Sequence, residues 1–244
     1  MTTFDGNAVV RSTRGTCSTS EAGTPPASEV SRDGGAVWEP ISFGSVDVRE
    51  ILSLEYVTDS QIDLIARTGP TCVVTMVTSF TGGEFWASYP DRTSESVFAD
   101  PDAAGAIKVY GVETEQPCSD LVEVKGFNGG AVALCSDGIH VYSVAEPGWQ
   151  TVTASPESAI AVAADGSQVM TAADGGTSCD GLRIQSIGLE AAPYESENLA
   201  CISRGIALSD ATLALTGTKA ILWSSATVLT SPDQGVTWAS VLEN

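Results

Sequence analysis

The single histidine and one Asp- and Gly-rich run are the places where residue types alone suggest chemistry. His140 is the only imidazole in the chain, and Ser/His/Asp catalysis needs an imidazole base. Its neighbours Ile139 and Val141 give the alternation of a strand, which favours a packed side chain over a base. The run from Asp174 to Gly181 offers oxygen ligands for Ca²⁺, but it lacks the spacing of a calcium-binding loop, which favours a plain turn. We therefore predict no catalytic residue, no metal site and no cofactor.

The cysteines indicate cross-links rather than metal binding. They are scattered, none forms a C-x-x-C pair, and one histidine is too few for a common zinc site. An even number of scattered cysteines fits disulfides made in an oxidising compartment, and the alternative is buried free thiols. The predicted disulfide cysteines are Cys17, Cys72, Cys118, Cys135, Cys179 and Cys201.

Charge and hydropathy exclude several kinds of partner. The 244 residues include 31 acids against 11 bases, a net charge of −20, and such a surface repels nucleic-acid phosphates and anionic lipid headgroups. No apolar run is long enough for a transmembrane helix, and Met1 to Asn7 lack the basic and apolar regions of a signal peptide. We expect an acidic monomer that is secreted or exposed on the cell surface, seen here as a mature segment without its signal peptide. We also expect it to bind no nucleic acid and not to insert into a membrane.

Short strands separated by turns must position any site. The chain is 43% hydrophobic with 24 glycines and 11 prolines, and runs such as Gln61 to Ala66 and Ala131 to Leu134 lie between clusters of Gly, Asp, Ser and Pro. This pattern is typical of an all-β sandwich, barrel or propeller, and a chain of this length can fold as one such domain. The run Val48 to Tyr56 could be mistaken for a helix start, but its apolar residues alternate, so we predict a strand.

An octapeptide running from Ser to Trp recurs along the chain. Ser31 to Trp38 and Ser231 to Trp238 both read S-x-D-x-G-x-x-W, Ser79 to Trp86 has Thr in place of Asp, and Ser143 to Trp149 is a fainter copy. This motif resembles the Asp-box, or bacterial neuraminidase repeat, of sialidases, sortilin-type receptors and the photosystem II assembly factor family. The resemblance implies a β-propeller of four-stranded antiparallel blades.

The resemblance also gives the octapeptide a structural role. Ser ends one strand and Trp opens the next, Asp hydrogen-bonds nearby amides, Gly takes the positive φ of the turn, and Trp packs as an apolar wedge. In the families it resembles, the box joins the third and fourth strands of a blade, on the face opposite the ligand site. The residues assigned to this role are Ser31, Asp33, Gly35, Trp38, Ser79, Gly83, Trp86, Trp149, Ser231, Asp233, Gly235 and Trp238.

The spacing of the four tryptophans counts the blades. The interval from Trp38 to Trp86 is one blade long, about 45 residues, the next is longer, and the interval from Trp149 to Trp238 is long enough for two. We predict one domain of five blades. Six is the alternative if the acidic segment Phe98 to Ile107, which we expect to be a loop, or the last segment of the chain hides strands. The approximate blades are 1–40, 41–90, 91–155, 156–193 and 194–244.

In this arrangement all the cysteines fall on the face opposite the boxes. Four follow the second strand of a blade, and Cys118 and Cys201 precede a first strand. Cys118 and Cys135 flank one hairpin, Cys179 and Cys201 lie at a loop and the next crossover, and Cys17 and Cys72 occupy like positions in adjacent blades. Several connectivities are possible, and we predict these three pairs, each contributing about 2–4 kcal/mol.

We expect the ligand on this cysteine-rimmed face, because loops on a rigid scaffold commonly carry binding sites. The first hypothesis is an extracellular, non-catalytic binding or assembly module for a protein or glycan. For each candidate side chain, the alternative is an ordinary solvated loop residue. The candidates are Arg14, Arg67, Thr71, Asp137, Asp174, Asp180, Tyr194 and Lys219.

The second hypothesis is a glycoside hydrolase of the sialidase type. That resemblance requires an arginine triad for the substrate carboxylate, a Tyr/Glu nucleophile pair and an acidic general acid. Arg14 and Arg67 lie in equivalent loops and Tyr194-Glu195 could supply the pair, but the N-terminal arginine motif of such enzymes is absent and the five predicted blades are fewer than their six. The binding module is therefore the preferred interpretation.

Overall fold

The computed structural model describes residues 1–21, 23–153, 159–190, 192–203, 211–224 and 227–241. Within these ranges, short runs rich in Val, Ile, Leu and Ala form 23 β-strands, and Pro90–Glu95 form a 3₁₀ helix. The strands alternate between buried and more exposed residues or are buried on both sides, as expected for sheets that pack face to face. Val48–Tyr56 is a strand, as predicted.

The strands make six antiparallel sheets, and within each sheet they are ordered as along the chain. The first sheet comprises β1 (Thr2–Thr3), β2 (Val9–Ser12), β3 (Ser28–Ser31) and β4 (Glu39–Pro40). The second comprises β5 (Val48–Tyr56), β6 (Ile62–Thr68), β7 (Val73–Ser79) and β8 (Ala87–Ser88). The third has three strands, β9 (Val97–Ala99), β10 (Ala106–Val109) and β11 (Val112–Glu115).

Three further sheets follow, each with four strands. The fourth sheet comprises β12 (Leu121–Phe127), β13 (Gly130–Cys135), β14 (Gly138–Ser143) and β15 (Trp149–Thr151). The fifth comprises β16 (Ala159–Ala164), β17 (Gln168–Asp174), β18 (Gly181–Gly188) and β19 (Ser196–Ser203). The sixth comprises β20 (Thr212–Thr216), β21 (Lys219–Ser224), β22 (Thr227–Ser231) and β23 (Ala239–Ser240).

These sheets are the blades of a β-propeller, and the predicted all-β class is confirmed. Each four-stranded sheet is a simple up-and-down meander. The first strands of neighbouring sheets contact one another, β5 with β1 and β9, and β16 with β12 and β20. Small antiparallel sheets packed side by side through their inner strands are the building plan of propellers.

The described residues form six sheets, which is the alternative and not the preferred five. The interval between Trp86 and Trp149 holds two sheets, because the acidic segment expected to be a loop contains the end of β9 and the start of β10. The third sheet was missed because its strands are short and its last turn is the two-residue connection Tyr110-Gly111, with φ of 48° and 81°, instead of an octapeptide. In addition, β19 pairs with β18 and so belongs to the fifth sheet, whereas we expected a blade boundary at residues 193–194.

The chain divides into two compact units. The first, Met1–Asp102 and Ile107–Thr114, holds the first two sheets and most of the third. The second, Ala103–Ala106 and Glu115–Asn244, holds the fourth, fifth and sixth sheets. Each has its own core between successive sheets, with Val10 and Leu64 in one cluster of the first unit and Met170 and Leu222 in one cluster of the second.

The two ends of each four-stranded sheet differ in what they carry. We call the end with the connection between third and fourth strands the turn end, since it carries the octapeptides, named Ser–Trp turns below. The other end has the connection between second and third strands, and we call it the disulfide end. Because neighbouring strands are antiparallel, the connection between first and second strands also lies at the turn end.

Candidate functional site

The disulfide ends are cross-linked as predicted. Cys17 bonds to Cys72, Cys118 to Cys135 and Cys179 to Cys201, with Cα–Cα distances of 5.8, 6.3 and 5.7 Å, which are ordinary for disulfides. Cys201 differs from the expectation in position, since it lies within β19 and not before a first strand. Three disulfides in one chain indicate an oxidising environment.

Arg14 and Arg67 converge, as equivalent loops suggested, but on a buried carboxylate of the protein itself. Arg14 Nε lies 3.0 Å from Glu50 Oε1, and Arg67 Nη1 lies 3.3 Å from Glu50 Oε2. Arg67 also donates to the carbonyl oxygens of Cys72 and Cys17, at 3.3 and 3.5 Å. Arg67 thus holds the first disulfide to the second sheet, while Arg14 keeps most of its side chain exposed.

The other candidate contacts divide between the two ends. Thr71, Asp137, Asp174 and Asp180 are exposed at disulfide ends, as expected. Tyr194 lies instead in the turn-end connection between β18 and β19, and its side chain is buried in the core between the fourth and fifth sheets.

Lys219 is also at a turn end, contrary to the expectation. It opens β21, directly after Thr218, whose carbonyl oxygen accepts a hydrogen bond from Gln234 N of the last Ser–Trp turn at 2.6 Å. We expected Lys219 at the disulfide end, whereas it follows the connection between the first and second strands of its sheet. Lys219 therefore does not share an end of its sheet with the candidates near the disulfides.

His140 is packed in a strand, as predicted. Its ring is buried, with Nε2 3.3 Å from Asp137 Oδ1 and Nδ1 3.2 Å from Thr151 Oγ1. Asp137 also lies near the sulfurs of Cys118 and Cys135, but those sulfurs are joined in a disulfide and are not thiolate ligands. In the Asp174 to Gly181 run, Asp174 Oδ1 accepts from Gly176 N at 2.9 Å, which is a local turn.

The residues described do not bring together the groups that the sialidase hypothesis requires. Both arginines in equivalent loops are ion-paired with Glu50 of the protein itself. The expected nucleophile Tyr194 is buried in an apolar cluster of the second unit, with Val152, Ile187 and other apolar side chains around it. An arginine triad facing a Tyr/Glu pair is therefore not formed among the candidates named for it.

The Ser–Trp turns repeat one hydrogen-bond pattern three times. The Ser hydroxyl oxygen accepts from the Gly amide at 2.8 to 2.9 Å, and Trp Nε1 donates to the carbonyl oxygen of the same Gly at 2.8 to 2.9 Å. The three glycines have φ of 98°, 98° and 88°, where an L side chain is strained. The pattern closes each turn and holds its Trp side chain in place. The glycines are Gly35, Gly83 and Gly235.

The side chain at the third position of each Ser–Trp turn accepts hydrogen bonds from groups that follow it in the chain. Hydrogen bonds from the Val37 amide and from Ser31 hold the pKa of Asp33 below its ordinary value, and those from the Thr237 amide and hydroxyl do so for Asp233. In the middle copy the hydroxyl of Thr81 accepts from Phe85 N at 2.9 Å. Thr can therefore replace Asp without loss of the turn.

Tyr194 provides in the fifth sheet the buried aromatic ring that Trp86 and Trp238 provide in the second and sixth sheets. Trp86 packs between the first and second sheets, and Trp238 packs against the cluster between the fifth and sixth. Tyr194 comes just before a fourth strand, as they do, and its ring lies between the fourth and fifth sheets. The fifth sheet lacks a recognisable octapeptide but keeps an aromatic side chain at the equivalent place.

The turn end of the first two sheets exposes large apolar side chains. All five lie in connections between strands, and together we call them the turn-end patch. Their exposed fractions are 38% for Phe4, 61% for Val37, 38% for Val57, 50% for Phe80 and 74% for Phe85.

Contacts between the turns make this patch one surface. Gly34 N donates to the Asn7 carbonyl at 2.9 Å, and Gly82 N donates to the Ser60 carbonyl at 2.7 Å. Arg32 Nη2 reaches across from the first sheet to the carbonyl oxygen of Gly82 in the second, at 3.3 Å. The ring of Phe4 stacks on Tyr56 of β5, with centroids 6.3 Å apart.

Sequence reasoning did not select this patch, although one signal was present. Phe80 and Phe85 occupy octapeptide positions held by Arg32 and Val37 in the first copy and by Pro232 and Thr237 in the last. The turn needs neither phenylalanine side chain for its hydrogen bonds, although the Phe80 ring meets Tyr89 edge-on at 5.9 Å. Two phenylalanines at positions where the motif does not require them are therefore the signal that the sequence offered for this patch.

A carboxyl group beside the patch is crowded by other parts of the protein. Glu55 is opposite Asp63 in the pairing of β5 and β6. Part of the residue is exposed to solvent, but the protein around it removes part of the water from its carboxyl group. Desolvation, and then the charge of Asp63, raises the pKa of Glu55. Burial and the nearby Glu55 raise the pKa of Tyr110 to about 12. Asp63 itself accepts hydrogen bonds from Thr78 Oγ1 and Gln61 Nε2 at 2.7 and 2.9 Å.

Replacing Glu55 by Gln should stabilise the protein at pH 7. The raised pKa of Glu55 means that folding opposes its ionisation, so the destabilising contribution is present above the folded pKa and disappears as the pH falls through it to about 4. Urea unfolding at pH 7 and pH 4 measures this, with Glu197→Gln on exposed β19 as the matched control. Equal effects of the two substitutions at pH 7, or a less stable Glu55→Gln protein, would contradict the assignment.

Comparisons with known proteins identify a fold likeness only. No family model matches the sequence, and no curated protein matches it. Among solved structures, YCF48 from Cyanidioschyzon merolae is 15% identical with a TM-score of 0.38, over 90% of this chain and 65% of that one. The GH74 xyloglucanase from Xanthomonas campestris is 14% identical with a TM-score of 0.39, over 98% of this chain and 37% of that one.

An ancestral GH74 enzyme is a further match, 11% identical with a TM-score of 0.43, over 93% of this chain and 36% of that one. The chain thus spans less than two thirds of the length of each of these structures. In the part of the chain that the structure describes, no helix has the length and hydropathy needed to cross a membrane.

Proposed function

We propose that this protein is an extracellular, non-catalytic module that binds a protein partner through the turn-end patch. The observation that supports it is the gathering of five exposed apolar side chains on one continuous surface of the first unit. Exposed apolar side chains scattered singly are ordinary, whereas a contiguous group commonly marks an interaction surface.

The rigidity of the surface supports binding over catalysis. The turns that carry Phe80 and Phe85 are closed by the Ser79 and Trp86 hydrogen bonds, so the aromatic side chains are presented on a fixed backbone. A preorganised surface loses less entropy on binding. Exposed phenylalanine rings are the kind of aromatic anchor that protein interfaces commonly use, which favours a protein partner over a glycan.

The three disulfides support an extracellular location, where such bonds persist. The disulfide end, where most of the candidates from the sequence lie, remains a prediction as a binding surface. At this end, Arg67 is engaged with Glu50 and two backbone carbonyls.

Peptide display on the disulfide-intact protein tests this proposal. Selected peptides should lose at least tenfold in affinity for a Phe80→Ser/Phe85→Ser variant, because truncating central aromatic anchors commonly costs more than about 1.4 kcal/mol. Both side chains are exposed, so the variant should keep its unfolding midpoint.

The matched control is Val73→Ser. Val73 is 57% exposed at the disulfide end of the same sheet, and its substitution should change the affinity by less than about twofold. Peptides that bind the double variant normally, or that depend on Val73 instead, would refute the turn end as the binding surface.

A further inference from the structure

The charges around the turn-end patch are almost all negative. The turn segments 4–7, 32–37, 57–61 and 80–85 include four carboxylates and one basic residue, Arg32. The carboxylates belong to Asp5, Asp33, Asp59 and Glu84. An apolar surface bordered in this way attracts one sign of charge at distances up to about 8 Å in physiological salt.

The one cation of these segments is already paired. Arg32 Nη1 contacts Glu39 Oε2 at 2.5 Å, while its Nη2 is bonded to the Gly82 carbonyl. Its guanidinium therefore ties the two sheets together and does not balance the remaining carboxylates. A second cation beside the patch, Arg92, lies 6.0 Å from the centroid of the Phe80 ring and is paired with Asp63 and Glu95. The acidic excess of the turn segments therefore favours a partner that carries basic side chains.

The charges and the apolar groups share one neighbourhood. Burial raises the pKa of Tyr56, and the charges that act on its phenol are those of Arg32, Asp5 and Asp59. The same ring is stacked with Phe4 of the patch. Acidic and apolar contacts can therefore be made by a single short segment.

Resting on the proposed function, we propose that the occupant of the turn-end patch is a partner segment in which lysine or arginine alternates with apolar side chains. The apolar side chains pack on Phe80, Phe85 and Val57, and the basic ones reach Asp5, Asp59 and Glu84. Opposite charge speeds and directs association, and the apolar contacts determine how long the complex lasts.

Three sets of fluorescent twelve-residue peptides test this. All share fixed Phe and Leu positions, and the positions between them are Lys, Gln or Glu. Anisotropy titrations at low and physiological salt should show the Lys set binding at least tenfold more tightly than the Gln set, with the Glu set weaker still. The advantage of the Lys set should shrink as salt is raised.

Charge variants of the protein complete the test. An Asp5→Asn/Asp59→Asn/Glu84→Gln variant should lose at least fivefold in affinity for the Lys set while its affinity for the Gln set is unchanged. The matched control, Asp137→Asn/Asp174→Asn/Glu197→Gln, removes equal charge elsewhere and should leave the Lys set bound as before.

The outcomes separate the two proposals. Binding that depends on Phe80 and Phe85 but is equal for the Lys and Gln sets overturns the basic segment and leaves the binding module standing. Equal loss in the two charge variants also overturns it, since the effect would then follow net charge alone. Binding of every set that is indifferent to Phe80→Ser/Phe85→Ser overturns the proposed function itself.

Discussion

Replacing Cys17 and Cys72 by alanine should lower the free energy of unfolding by about 4 kcal/mol. The bond joins residues 55 apart in sequence, so its loss frees a long loop in the unfolded chain. It also ties the first sheet to the second, and its two cysteine carbonyls accept from Arg67. Urea unfolding of the oxidised proteins measures the difference.

The Cys118–Cys135 bond is the matched control. It closes only 17 residues within one sheet, and its removal should cost about 3 kcal/mol. Both differences should vanish in a thiol reductant strong enough to open the bonds. An equal or reversed order of the two variants would show that loop closure is not what these bonds contribute.

Truncating Trp86 to alanine should cost about 3–5 kcal/mol, the range for large buried aromatic side chains. Trp86 is 8% exposed in the core between the first and second sheets. Its ring meets Phe43 edge-on at 5.2 Å, and Nε1 donates to Gly83 O at 2.9 Å. The substitution removes both the wedge and a bond that closes the turn.

Two variants separate these contributions. Trp86→Phe keeps an aromatic wedge and loses the Nε1 hydrogen bond, so it should cost less than half as much as the alanine variant. Trp149→Ala removes a partly exposed indole that donates to the carbonyl of Glu115 instead of closing its own turn, and it should cost less than Trp86→Ala. A Trp86→Ala protein as stable as the Trp149→Ala protein would contradict the wedge role.

Much of the fold could be predicted from sequence because its signals are local. The octapeptides mark strand ends by residue type, and their Ser–Gly and Trp–Gly hydrogen bonds lie within each turn. The cysteine pairs followed from placing strands between these marks. The third sheet escaped because its short strands and its Tyr110-Gly111 turn carry no such mark.

The candidate surface could not be predicted in the same way, because exposure depends on neighbours from other sheets. Phe80 is half exposed, while Phe98, in the segment expected to be a loop, is 4% exposed and packs with Ile65 and Met76. Nothing in the residue type separates these two cases. Likewise Arg67 appeared available to a ligand until Glu50 was placed beside it.

Hydrogen–deuterium exchange with a selected peptide bound tests the central claim most directly, because amides under a partner exchange more slowly. We expect added protection in the turns at 32–37, 57–61 and 80–85 and none at 69–72, at the disulfide end of the second sheet. Protection at 69–72 with unchanged exchange in the three turns would contradict the claim that this protein binds its partner at the turn end.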